Sequence, residues 1–225
     1  DRDHALALFR GMRERRRSRR FAVQASLDIA DDDELLAAIR AAGGFAVLVG
    51  LESVNEATLR TMRKGVNLRV GVAGYRDKIR QIHRHGLLLA GTFIFAGDGD
   101  EADIFTRTAD FVLDAGIDLA HFGLLAPMPG TDVFARLGRE GRLLRTDYPA
   151  DYALLDLSHA VFQPQGMTPA QAEAGLADAI DRVGALPVAL RRAGRTWRDT
   201  GRPFNALVSL LWTRTGLHRR IFAIP

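Results

Sequence analysis

FAVLVGLES, residues Phe45 to Ser53, places five apolar residues in a row ahead of Gly50, Leu51, the carboxylate of Glu52 and the hydroxyl of Ser53. An unbroken apolar run carrying Val47 and Val49 reads as a strand buried on both faces, the pattern of a parallel sheet covered by helices. The run is too short for a helix. Its polar pair falls at the carboxyl end of the strand, where parallel α/β sheets place their chemistry.

Upstream, Asp31 to Asp33 begin a helix whose carboxylates favour its positive end, and AAGG at Ala41 to Gly44 ends it in the left-handed geometry that glycine tolerates. Before that, Phe21 to Ile29 (FAVQASLDI) reads as a strand. Asp1 or Asp3 caps a first helix with Ala5, Leu8, Phe9 and Met12 on one buried face. Downstream, a long helical region breaks near Gly65 and Val66 and resumes through Tyr75, Ile79 and Ile82 to Gly86. Leu87 to Phe95 is the next strand and ends in the acidic turn AGDGDEAD. A helix with Ile104, Thr108, Phe111 and Val112 inward stops at Gly116, and Ile117 to Leu125 is a further strand ended by PMPGT. Helices that end in glycine before buried strands, at Gly44, Gly86 and Gly116, imply right-handed βαβ crossovers. The expectation is an α/β fold with four parallel strands in chain order, helices on the outer side, and the Phe21 strand at an unprotected edge. Beyond Thr131, helical pieces are expected around Val133–Leu137, Tyr152–Ala160 and Thr168–Val183, the last capped by Thr168 with Pro169 as its first residue.

With 47% hydrophobic residues in 225, the chain has ample material for a buried core. Its longest apolar segment, Leu87 to Gly97, is about half of the roughly 20 residues a spanning helix needs, and the default compartment is the cytoplasm. There is no cysteine, which excludes disulfides, thiolate metal sites and a cysteine nucleophile within these residues. The net charge of +4 comes almost wholly from arginine, Lys64 and Lys78 being the only lysines. That bias reads as solvated helix faces, with no nucleic acid expected. Two clusters stand out: Arg13 to Arg20, and Arg182 to Arg220, where nine arginines face only Asp199. The tail from Leu186, with Trp197, Phe204 and the run ALVSLLW, reads as core packing, with membrane or partner contact as the alternative.

The polar residues at or near strand ends are Asp28, Glu52, Ser53, Asp98, Asp100 and His121. One reading is a metal-dependent hydrolase or lyase in which Asp28, Glu52 and Asp98 hold a hard cation. Another is a non-catalytic interaction module that binds an acidic partner through its arginine-rich tail.

The succession VGLES, LRTMRKGVN, GLLLAGTFIFAGDGDE, LLAPMPGT, LGREGRL and FQPQGMTPAQAEAG resembles the later part of a radical S-adenosylmethionine protein, in particular the group with a cobalamin-binding domain. The resemblance covers about Asp1 to Arg182. It implies a partial parallel βα barrel holding about four of the family's six strands in residues 1–131, a helical extension in 132–185 and a basic tail in 186–225. It implies S-adenosylmethionine as cofactor, cleaved reductively to a 5′-deoxyadenosyl radical by a four-iron four-sulfur cluster, with cobalamin in the full-length protein. The family's CxxxCxxC cluster loop has no counterpart here. That loop is expected in a missing amino-terminal part, on the order of 30 to 60 residues before Asp1, and this chain alone is expected to be inactive.

By the same resemblance, Glu52 and Ser53 meet the cofactor's ribose hydroxyls, and Lys64, followed by Asn67, meets a cofactor or substrate carboxylate. Phe93 and Ile94 form the apolar side of the adenine pocket, and the backbone at Leu125 and Ala126 meets adenine. Ala96 stands where the family usually has glycine, and its methyl is expected to crowd the adenine. The substrate, a small molecule, is not named by the resemblance.

Overall fold

Val47, Val49 and Leu51 are completely buried, and they belong to one of the two central strands of the sheet. The computed structural model describes residues 1–15 and 20–214; parts of both arginine clusters and the end of the Leu186–Pro225 tail lie outside these. The strands are β1 (Phe21–Ala25), β2 (Gly44–Glu52), β3 (Leu88–Phe95) and β4 (Leu119–Leu124), in the order β1-β2-β3-β4. Every pairing is parallel, and among the described residues β1 pairs only with β2, which leaves its other edge without a strand partner there. No helix among the described residues is long and apolar enough to cross a membrane.

The outer face carries the main core. Leu89, Phe93 and Phe95 of β3 and Phe122 and Leu124 of β4 pack there with helices α1 (Arg2–Glu14), α2 (Asp33–Ala41), α5 (Tyr75–Arg84), α6 (Ile104–Ala115), α7 (Asp132–Arg139) and α8 (Pro169–Gly184). Asp1 caps α1, Asp32 caps α2, and Thr168 forms a capping box with Gln171 at α8. Each satisfies backbone N–H groups that a helix start leaves orphaned.

Several expectations need correction. The first strand stops at Ala25, and Leu27–Asp31 forms a 3-10 turn because Leu27 and Ala30, three residues apart, both turn into the core. In α1 the buried pair is Leu6 and Phe9, and Leu8 is exposed. Within AAGG it is Gly43 that takes the expected left-handed conformation, with φ 107°. The region after β2 divides into α3 (Glu56–Thr61), α4 (Gly65–Val70) and α5, broken at left-handed Arg63 and Gly71. The segment Tyr152–Ala160 is not helical beyond the 3-10 turn Ala150–Leu154. There the Leu157 carbonyl accepts the Leu124 N–H at 2.7 Å, and the Leu157 side chain fills the space that Gly123 leaves open. That pairing covers the β4 edge.

Not every helix lies outside. After α9 (Leu186–Thr200), helix α10 (Pro203–Arg214) crosses to the inner face, where Val208 and Trp212 pack against Ala46, Leu88, Ala90 and Leu119. Trp212 Nε1 donates to the Ala120 carbonyl at 3.2 Å. The amino-terminal half of the inner face is therefore sealed.

Asp118, just before β4, ties these layers together. Its Oδ2 lies 2.8 Å from His83 Nε2 on α5 and accepts the Leu89 N–H at 2.8 Å. Its Oδ1 accepts the Thr196 hydroxyl of α9 at 2.5 Å, and its carbonyl accepts the Ser209 hydroxyl of α10.

Candidate functional site

Beyond the seal made by α10, the carboxyl end of the inner face is open. Glu52 sits there with φ 67°, a left-handed conformation that costs a non-glycine residue about 1 kcal/mol or more. The strand bulges between Gly50 and Glu52, and the Glu52 carboxylate folds back over Gly50, where a Cβ would lie 2.5 Å from Oε1. A side chain there would push the carboxylate out of this position. Lys64 Nζ donates to Glu52 Oε1 at 2.8 Å, and both side chains remain partly exposed.

The carbonyls freed by the bulge are held from behind. Asn67 Nδ2 reaches the Gly50 carbonyl at 2.9 Å, the Leu51 carbonyl at 3.1 Å and Tyr75 Oη at 3.1 Å. The Tyr75 hydroxyl itself donates to the Leu51 carbonyl at 3.0 Å. Burial pushes the Tyr75 hydroxyl up to about 12, against the opposing hydrogen bond from Asn67, so it stays protonated and remains a donor. In the run LRTMRKGVN, therefore, Lys64 faces the site and Asn67 braces the strand that carries it.

Glu52 and Lys64 line a cavity of about 580 Å³ together with Arg63, Ile94, Asp98, Leu125 and Arg136. A second, adjoining hollow of about 400 Å³ along the inner face shares Glu52 and Lys64 and adds Gln24, Leu48 and Thr92. An ion pair at the shared rim, with an apolar wall formed by Ile94 and Leu125, can accept hydroxyl donors beside a flat apolar group.

The other expected residues are placed differently. Phe93 is fully buried on the outer face, 5.9 Å from Phe122 between ring centres, because alternation along β3 turns it away from Ile94. Ser53 is buried, and its hydroxyl accepts the Asn55 N–H at 3.0 Å in the turn before α3. Ala96 has φ 64° and is buried in the core, so its methyl is absorbed there and does not line the cavity. That torsion is one glycine adopts freely. Ala126 is half-buried and does not line the cavity either.

The acidic turn after β3 is likewise committed. Asp98 accepts Arg136 at 2.5 Å and Arg142 at 2.7 Å. Burial alone would raise its carboxyl, but these two guanidinium groups outweigh burial and hold it below the usual range. Asp100 is buried, accepts the Thr58 hydroxyl, and is raised by that burial. Asp28 is paired with Arg69 at the surface, and His121 lines a different cavity with Asp156 and Glu173. Asp28, Glu52 and Asp98 therefore do not assemble a cation site, and among the described residues no group of three or more His, Asp or Glu is placed to hold a metal. Sequence reasoning missed Arg136 and Arg142, whose partner, Asp98, lies about 40 residues earlier in the chain.

No family model matches the chain. It is 32% identical over 117 residues to bacteriochlorophyllide d C-12(1)-methyltransferase of Chlorobaculum tepidum, covering 52% of this chain and 24% of that protein. It is 30% identical over 126 residues to hopanoid C-2 methylase of Rhodopseudomonas palustris, covering 56% and 23%. The matched stretch thus spans about a quarter of each relative's length. Among solved structures, the radical S-adenosylmethionine methyltransferase TsrM from Kitasatospora setae, with cobalamin and a [4Fe-4S] cluster bound, matches with a TM-score of 0.54 at 16% identity, over 97% of this chain and 49% of that one. That likeness shows the fold. The resemblance drawn from the motif succession is borne out: over about half its length the chain is similar to methyltransferases, and it shares its fold with a radical S-adenosylmethionine methyltransferase.

Proposed function

We propose that this chain supplies the ribose and adenine half of the S-adenosylmethionine site in a radical S-adenosylmethionine methyltransferase that uses cobalamin. The observation that carries the reading is Glu52, held in a left-handed conformation so that its carboxylate faces the 580 Å³ cavity, with Ile94 and Leu125 forming an apolar wall. A carboxylate accepts two vicinal hydroxyls well, and a flat apolar wall suits a purine. When bound, S-adenosylmethionine supplies the methyl group or the radical. This chain's residues orient it: Glu52 holds the sugar, Lys64 keeps the Glu52 carboxylate in place, and Asn67 with Tyr75 fixes the strand beneath them. With no cysteine in the sequence there is no thiolate to hold an iron–sulfur cluster, so the cluster does not fit these residues. The relatives' names motivate methyl transfer as the reaction, and their varied acceptors leave the acceptor of this protein to be identified.

Calorimetric titration with S-adenosylmethionine tests this reading. Without the anchor a cluster would give to the methionine end, binding is expected on the order of millimolar, about −4 kcal/mol. Glu52→Ala should abolish it, and Lys64→Ala should weaken it. Binding unchanged in Glu52→Ala would contradict the assignment.

A further inference from the structure

We propose that the opposite, amino-terminal end of the sheet carries a binding site for a small phosphate-bearing anion, built by Arg20, Arg40 and Arg202. These arginines come from the start of β1, the last turn of α2 and the α9–α10 turn. They line one cavity of about 270 Å³ with Phe45, Phe204 and Asn205, and among the described residues no carboxylate lines it. Like charges converge on a shared hollow at a cost in free energy unless an anion neutralises them.

Each arginine is held while keeping donors free. The Arg20 guanidinium lies 3.4 Å over the Phe204 ring, which fixes its plane and consumes none of its N–H groups. Arg40 Nη1 donates to the Gly44 carbonyl at 3.2 Å, and its Nε is buried with no hydrogen-bond partner among the described residues. A buried donor without an acceptor costs about 1–3 kcal/mol, which an oxyanion would recover. The Arg202 side chain lies across Gly86, which has φ 69° and whose missing Cβ would sit 2.9 Å from Arg202 Nε. Asn205 Nδ2, buried, donates to the Gly86 carbonyl at 3.1 Å and pins this crossing. The amino terminus of α10, beginning at Pro203, adds its positive dipole end to the same place. Three planar forks around a small hollow suit a tetrahedral oxyanion of two or more charges better than a single carboxylate.

The site lies at the other end of the sheet from Glu52 and does not depend on how that cavity is read. Calorimetric titration of the chain with inorganic phosphate and with pyrophosphate tests it. Saturable binding is expected, tighter for pyrophosphate. Arg40→Gln and Arg202→Gln should each weaken it about ten- to a hundredfold, and Arg107→Gln, outside the cavity, should leave it unchanged. If loss of the Gly44 contact unfolds Arg40→Gln, the exposed Arg202→Gln decides alone. No saturable binding, or equal binding by wild type and Arg202→Gln, would overturn the proposal.

Discussion

Asp118→Ala is expected to destabilise the fold by about 3–5 kcal/mol, the range for removing one partner of a buried charged pair. The carboxylate serves His83, the Leu89 N–H and the Thr196 hydroxyl at once, so its loss strands three buried groups from three elements. Asp118→Asn, which keeps an oxygen for one or two donors, should cost roughly half as much. The pair also sets a pH dependence. Burial alone would lower the His83 pKa, but Asp118 outweighs burial and raises it above the ordinary 6.5. A raised folded-state value means that the pair's stabilisation is fully present below about 6.5 and is lost as pH rises through the folded value. Chemical denaturation from pH 5 to 9 should show this decline in the wild type and its absence in Asp118→Ala. A variant as stable as the wild type would show that the hub is not structural.

Asn67→Ala is the second large effect expected, roughly 2–3 kcal/mol from leaving the Gly50 carbonyl without its donor and the Leu51 carbonyl with one donor fewer. This substitution should also weaken S-adenosylmethionine binding, although Asn67 does not line the 580 Å³ cavity. The left-handed Glu52 persists only while its surroundings enforce it, and Asn67 with Tyr75 is the enforcement. Tyr75→Phe removes one of the three donors to the Leu51 carbonyl, which also accepts from Asn67 and from the Ser53 N–H, and should give a smaller loss of the same kind. Denaturant unfolding measures the first quantity and calorimetry the second. Lost stability with undiminished ligand affinity would separate the brace from the site.

The contrast between these residues shows what the chain discloses in one dimension. Buried strands were legible because apolar runs bounded by glycine have few other readings, and the left-handed turns at Gly86 and Gly116 fell where glycine stands. Thr168 and Pro169 announced the start of α8 through local chemistry alone. The 3-10 turn at Leu27–Asp31 was not legible, because FAVQASLDI alternates like a strand and only tertiary burial of Leu27 and Ala30 ends it. Glu52 and Lys64 were found through their place at a strand end and in a motif. Asp118 was not, although an acid between Ile117 and Leu119 is a signal that a buried carboxylate needs donors. Arg20, Arg40 and Arg202 read as solvated charges because their convergence depends on α10 folding back beneath the sheet.

The central claim is that S-adenosylmethionine binds at the carboxyl end of the inner face. Methyl-resolved NMR on isoleucine-, leucine- and valine-labelled chain tests it by position. Addition of S-adenosylmethionine should shift the methyl resonances of Ile94 and Leu125, which line the Glu52 cavity, and leave Leu88 and Val208, packed between the sheet and α10 at the other end, unmoved. Shifts confined to Leu88 and Val208, or no shifts at millimolar ligand, would contradict the account.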